Sequence, residues 1–95
     1  MPGPEATIER TIRKEAKAAG WVVRKVAFLD ARGAPDKIFG KGGRGVWIEF
    51  KRLDGEAAEQ QLRRHAELRN SFGWEVHICD SLTLARHILK LSDKE

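Results

Sequence analysis

Apolar and polar positions divide the chain into a helix, three strands, a second helix, a fourth strand and a last helix. Over residues 5–19, Ile8, Ile12, Ala16 and Ala19 recur at the spacing of one helical face, with Pro4 suited to the opening and Gly20 to the stop. Residues 21–29 are rich in Val and aromatic side chains and predict a strand, which Arg24 and Lys25 keep from being wholly buried. A turn follows at 30–33. Two short β-branched and aromatic runs then flank a glycine-rich centre, the pattern of a β-hairpin. Beyond a turn at 53–55, a helix is expected over 56–72, with Ala58, Leu62, Ala66, Leu68 and Phe72 as its apolar positions and Arg63, Arg64 and Arg69 on its other face. Gly73 stops it. Residues 74–80 alternate as a last strand, and Ser81 caps a helix over 82–91 that offers Leu84, Ile88 and Leu91 to the core.

The hairpin carries the chemistry. With a loop at 41–44, Gly40 faces Gly45, and partner numbers sum to about 85. That register sets Asp36 across from Glu49, with Lys51 two residues further along the same strand face. Phe39, Val46, Ile48 and Phe50 fall on the opposite face, where a covering helix would stop the register from slipping. Trp47 and Ile38 imply partial cover on the carboxylate face too. Lys37 falls on the apolar face and is expected at its edge. Like charges opposed across a ladder destabilise it, so Asp36 and Glu49 together call for a cation between them.

Composition narrows the class. Ninety-five residues make one domain with a single core, residues 1–4 being a loose end. The 41% apolar fraction is enough to fold, and the 34% charged fraction argues for a soluble protein. No apolar run reaches the length of a membrane span and no signal peptide is recognisable. Cys79 is alone, which excludes an internal disulfide and makes a reducing, cytoplasmic compartment the natural one. A net charge of +4 is compatible with a phosphate-rich partner.

Pro35-Asp36, a twelve-residue spacer and Glu49-Phe50-Lys51 resemble the PD-(D/E)XK nuclease signature. More particularly, Gly33-x-Pro35-Asp36, Ile48-Glu49-Phe50-Lys51-Arg52, Gln61 with His65 and Leu68, then Gly73 and Val76 resemble the VRR-NUC branch of that superfamily over most of the chain. The resemblance implies an α/β fold with the αβββαβ restriction-endonuclease-like core, here extended by a C-terminal helix, and a mixed central sheet flanked by helices. It implies a metal-dependent endonuclease using Mg²⁺ or Mn²⁺, with Asp36, Glu49, Lys51 and Gln61 catalytic. Glu9 in the first helix would be a third acidic metal-site residue, Glu5 being the second candidate; Gln60 stands beside Gln61 as its alternative.

Asp36, Glu49 and the main-chain carbonyl of Phe50 are hard oxygen donors suited to Mg²⁺ or Mn²⁺ rather than zinc. Lys51 would hold or deprotonate a water, or steady the pentacoordinate phosphate. Lys25, Lys37, Arg44, Arg52 and Arg63 are candidate phosphate contacts, which give affinity without reading bases. With no helix-turn-helix or zinc-finger pattern, recognition by shape is favoured, and the resemblance points to branched DNA such as Holliday junctions or flaps, cut by a homodimer. The alternative is a basic DNA-binding or assembly module of the same fold without chemistry. His65, His77, His87 and Cys79 lack partners at metal or nucleophile spacing and read as structural.

Overall fold

A computed structural model describes residues 4–51 and 58–91, with residues 4 and 5 in their backbone only. The order is α1 (Pro4–Ala18), β1 (Val22–Lys25), β2 (Lys37–Lys41), β3 (Arg44–Phe50), α2 (Glu59–Phe72), β4 (Glu75–Cys79) and α3 (Leu82–Leu89), the order that the periodicities predict. The strands form one sheet in the order β1-β2-β3-β4. β1, β2 and β3 pair antiparallel, whereas β4 joins β3 in parallel because α2 carries the chain back across the sheet. No helix of the described residues is long and apolar enough to cross a membrane.

Each face of the sheet has its own cover. Phe39, Val46, Ile48 and Phe50 are buried against Ile12 and Ala16 of α1 and Ala85, Ile88 and Leu89 of α3. On the other face, Trp47 and Val76 pack with Leu68 of α2, and Val26, Phe28 and Ile38 lean against them. The alternation within β3 therefore decides which helix layer each side chain meets. Glu15 of α1 and Arg86 of α3 join in a two-pronged ion pair at 3.0 and 2.7 Å, which ties the two helices on the first face together.

Most ends shift by a residue or two, and three boundaries differ for a visible physical reason. The hairpin turn is tighter: Lys41 pairs with Arg44, and Gly42 and Gly43 alone turn the chain, with φ of 57° and 85°. Positive φ at both central residues is what a two-residue turn between twisted strands demands, and glycine adopts it freely. β1 stops at Lys25 because Val26 and Phe28 turn to the second face, although the Val26 N–H still donates to the Asp36 carbonyl at 2.9 Å. The second helix begins at Glu59, since Ala58 is extended at φ −63° and ψ 150°. The turn expected at 53–55 lies outside the described residues.

At the hairpin end of the sheet, β3 and β4 are clipped by their first residues. The Arg44 guanidinium donates two bonds to Glu75, at 3.0 and 2.6 Å, and His77 Nε2 lies 2.7 Å from the same carboxylate. The hydrogen bond from Arg44 is the main cause that takes the Glu75 carboxyl from 4.5 down to about 2; burial opposes it and His77 assists. A carboxyl depressed in the folded state contributes stability that is present above its unfolded pKa and is lost as pH falls through the folded one. Glu75→Gln should therefore melt at a lower temperature than the wild type near pH 7, and the gap should close as pH falls from 4.5 toward 2. A gap that stays constant across a thermal-melt pH series would exclude this origin. Since the carboxylate is about a third exposed, water screens the pair and the gap is modest.

Candidate active site at the end of the hairpin

The ladder between β2 and β3 has the expected register, from Lys41 with Arg44 to Lys37 with Ile48, every pair summing to 85. One step beyond its last pair stand Asp36 and Glu49. Because Ile48 and Phe50 are buried under α1 and α3, Glu49 turns to the α2 side with Trp47. Asp36 is anchored by its neighbours: Pro35 is fully buried and the Asp36 carbonyl accepts from Val26. The Lys51 N–H donates to the Cys79 carbonyl at 2.8 Å, which holds the exit of β3 against β4.

α2 closes on this segment at van der Waals range. Gly33 has φ of 86°, and a Cβ there would lie 2.6 Å from the Gln60 carbonyl oxygen. Only glycine fits such an approach at that φ. Arg64 adds a bond from Nε to the Arg32 carbonyl at 3.0 Å. The start of the Gly-x-Pro-Asp run and the first turns of α2 thus pack together.

Electrostatics pick out the same residues. Burial raises the Glu49 carboxyl above its ordinary value; Lys51 opposes that, Asp36 and Glu9 push it further up, and Lys37 pulls it back. Two further carboxylates and two ammonium groups therefore act on Glu49 here. Lys37 is the unexpected member. Its Nζ is buried, 3.3 Å from Glu9 Oε1 and 3.7 Å from Asp36 Oδ2. The sequence places Lys37 at the edge of the apolar face as a phosphate contact; instead its stem lies within that face, and α1 supplies a carboxylate for its head. A lysine on a core-facing register position was the signal available in the sequence.

The other candidates separate into groups. Glu9 is half-buried and paired with Lys37; the Glu5 side chain lies outside the described residues, as does Arg52. Gln61 reaches back along its own helix, its Oε1 accepting from the Ala58 N–H at 3.1 Å, so its carbonyl caps α2, and Gln60 is exposed. Lys25 is exposed and is the cross-strand partner of Lys37, beside the site. Arg63 is exposed on α2 and pairs with Glu59 at 3.3 Å. Arg44 belongs elsewhere: its guanidinium is committed to Glu75 and lies 5.8 Å from the Trp21 ring centroid, at the far end of β3. A cleft of about 640 Å³ at that far end is lined by Arg44, Glu75, His77, Arg86 and His87, but both guanidiniums are spoken for by Glu75 and Glu15.

His65 is fully buried, with neither ring nitrogen bonded among the described residues. Burial, then Arg69 and Lys51, lower its pKa and keep the imidazole neutral. Cys79 is buried with its thiol raised by burial and bonded to the Ser81 carbonyl, an inert arrangement.

Among the described residues no three Asp, Glu, His or Cys side chains gather closely enough to hold a divalent ion. Two of the expected donors, Asp36 and Glu49, retain the hard-oxygen chemistry and the mutual repulsion that an ion relieves, whereas Glu9 is held by Lys37.

No family profile matches the chain, and no curated protein matches it. A solved structure described as a VRR_NUC domain is similar to it over 94% of this chain and 97% of that one, with a TM-score of 0.82 and 23% identity. At that identity the likeness is one of fold: a mixed four-stranded sheet with three helices, in the VRR_NUC arrangement.

Proposed function

We propose, from a fold shared with a VRR_NUC domain, that the protein is a metal-dependent DNA endonuclease that hydrolyses phosphodiester bonds. One observation carries this reading: Asp36 and Glu49 stand one step beyond the last β2–β3 pair, with Lys51 two residues on along the same strand face, and both Asp36 and Lys51 act on the Glu49 carboxyl. A fold has no stability reason to bring two carboxylates together beside a half-buried lysine, and perturbed groups in such a constellation favour catalysis.

Asp36, Glu49 and the Phe50 carbonyl would hold Mg²⁺ or Mn²⁺, which supplies Lewis acidity toward a phosphodiester oxygen. Lys51, on the same strand face as Glu49, holds the attacking water or steadies charge that builds on the phosphate. Lys25 is exposed beside the site, and Arg63 is exposed in a water-screened pair with Glu59 that a phosphate would compete for; such contacts fix position and not sequence. Shape-selective cutting of branched DNA by a two-fold pair of chains is the finer form of the proposal and rests on the VRR-NUC resemblance.

The experiment is gel-resolved cleavage of a labelled four-way junction, flap, linear duplex and single strand with Mg²⁺, Mn²⁺ or EDTA, beside Lys51→Ala. Cutting that needs the metal and falls about 10²-fold or more in Lys51→Ala supports the assignment. Intact substrates with a junction still retarded on a native gel would favour the binding module instead.

A further inference from the structure

We propose that Lys37 is a built-in counter-ion that takes the place of a second divalent cation, so that the site admits one ion and Glu9 is not a ligand. This rests on the metal-dependent reading above and goes beyond it. The observation is the position of one ammonium group. Lys37 Nζ lies between Glu9 on α1 and Asp36 at the start of β2, and its side chain is only 6% exposed. Buried lysines of this kind persist only when paired, because an unpaired ammonium away from water is costly.

The pairing follows from register and not from side-chain accident. Lys37 shares a face with Phe39, so its stem is directed to the α1 layer, and Glu9 stands about one turn before the buried Ile12 on that helix. The charge balance follows. Glu9, Asp36 and Glu49 carry three negative charges against two positive from Lys37 and Lys51, leaving one net negative charge at the site. A single divalent ion turns it into one net positive charge. A second would leave three positive charges in a half-buried notch, with Lys37 already on the oxygens it would need. Lys37 is in this sense a positioning residue: it touches no reacting atom, but it decides which carboxylates are available.

The test is the number of Mn²⁺ ions bound per chain, read by calorimetric titration and by the electron paramagnetic resonance of free Mn²⁺. The wild type is expected to bind one, and Lys37→Met two, since Met keeps the apolar stem while releasing Glu9. The additional ion should be lost again in the Glu9→Gln/Lys37→Met double variant, and Lys37→Arg should stay at one. Two ions in the wild type would overturn the inference, whatever becomes of the variants. So would one ion of unchanged affinity in a folded Lys37→Met. Absence of any Mn²⁺ binding in the wild type would instead remove the metal-dependent reading and this inference with it. The wild-type titration alone therefore separates the two failures.

Discussion

Asp36→Asn is expected to leave the protein folded and to lower DNA cleavage by about 10²- to 10³-fold or more, the scale on which one preorganised charge in a reaction site counts. Asn retains the shape but not the negative charge, so one of the two carboxylates that would hold the ion is gone. The fold should tolerate the change. Asp36 contributes its main-chain carbonyl to Val26, which Asn also supplies, and its ion pair with Lys37 is long at 3.7 Å, with the carboxylate about half exposed. Pairs of that kind are worth under about 1 kcal/mol. DNA retardation should be unchanged or slightly stronger, because a charge repelling phosphate has been removed. Cleavage that survives in a folded Asp36→Asn would sink the site.

Gly33→Ala should be among the most destabilising single-methyl additions in the chain, at about 2 to 4 kcal/mol, from the sum of left-handed backbone strain and overpacking. The added Cβ would stand 2.6 Å from the Gln60 oxygen, 2.9 Å from its carbon and 3.0 Å from the Gln61 nitrogen, all of them backbone atoms of α2. Backbone in a helix cannot step aside as a long side chain can. In a domain of this size such a loss lowers the melting temperature by roughly 10 °C or more. Gly43→Ala is the matched control, with φ of 85° but nothing within 4 Å of its Cβ among the described residues. It meets the strain without the clash, on the order of 1 kcal/mol. Equal melting temperatures for the two variants would show that the close approach of α2 to Gly33 is not what glycine is there for.

Much of this architecture was legible because strong local patterns agree with the global fold. The hairpin register follows from two constraints that coincide: a glycine pair that turns tightly, and the alternation of Phe39, Val46, Ile48 and Phe50 against one helix layer. The boundaries at 26 and 58 were less visible. Val26 and Phe28 favour a strand by propensity, yet they leave the ladder to fill the second core beside Trp47, a competition that only the assembled sheet decides. The aromatic succession Phe28, Trp47, Trp74 and Phe72, with neighbouring ring centroids 5.9, 5.6 and 4.7 Å apart, likewise joins three separate stretches of the chain.

The same division runs through the candidate site. By itself the sequence determined that Asp36 and Glu49 would share one end of a hairpin with Lys51 close by, because a period-two strand and a known turn leave no other arrangement. It also showed Lys37 on a core-facing position without a reason for it. What only the tertiary structure decided is which charges meet: Glu9 comes to Lys37 across the gap between α1 and the sheet, and Arg44 is drawn to Glu75 by the parallel pairing of β4. Local patterns are read along the chain over a few residues. Ion pairs between elements depend on how those elements dock, and docking is set by the whole core.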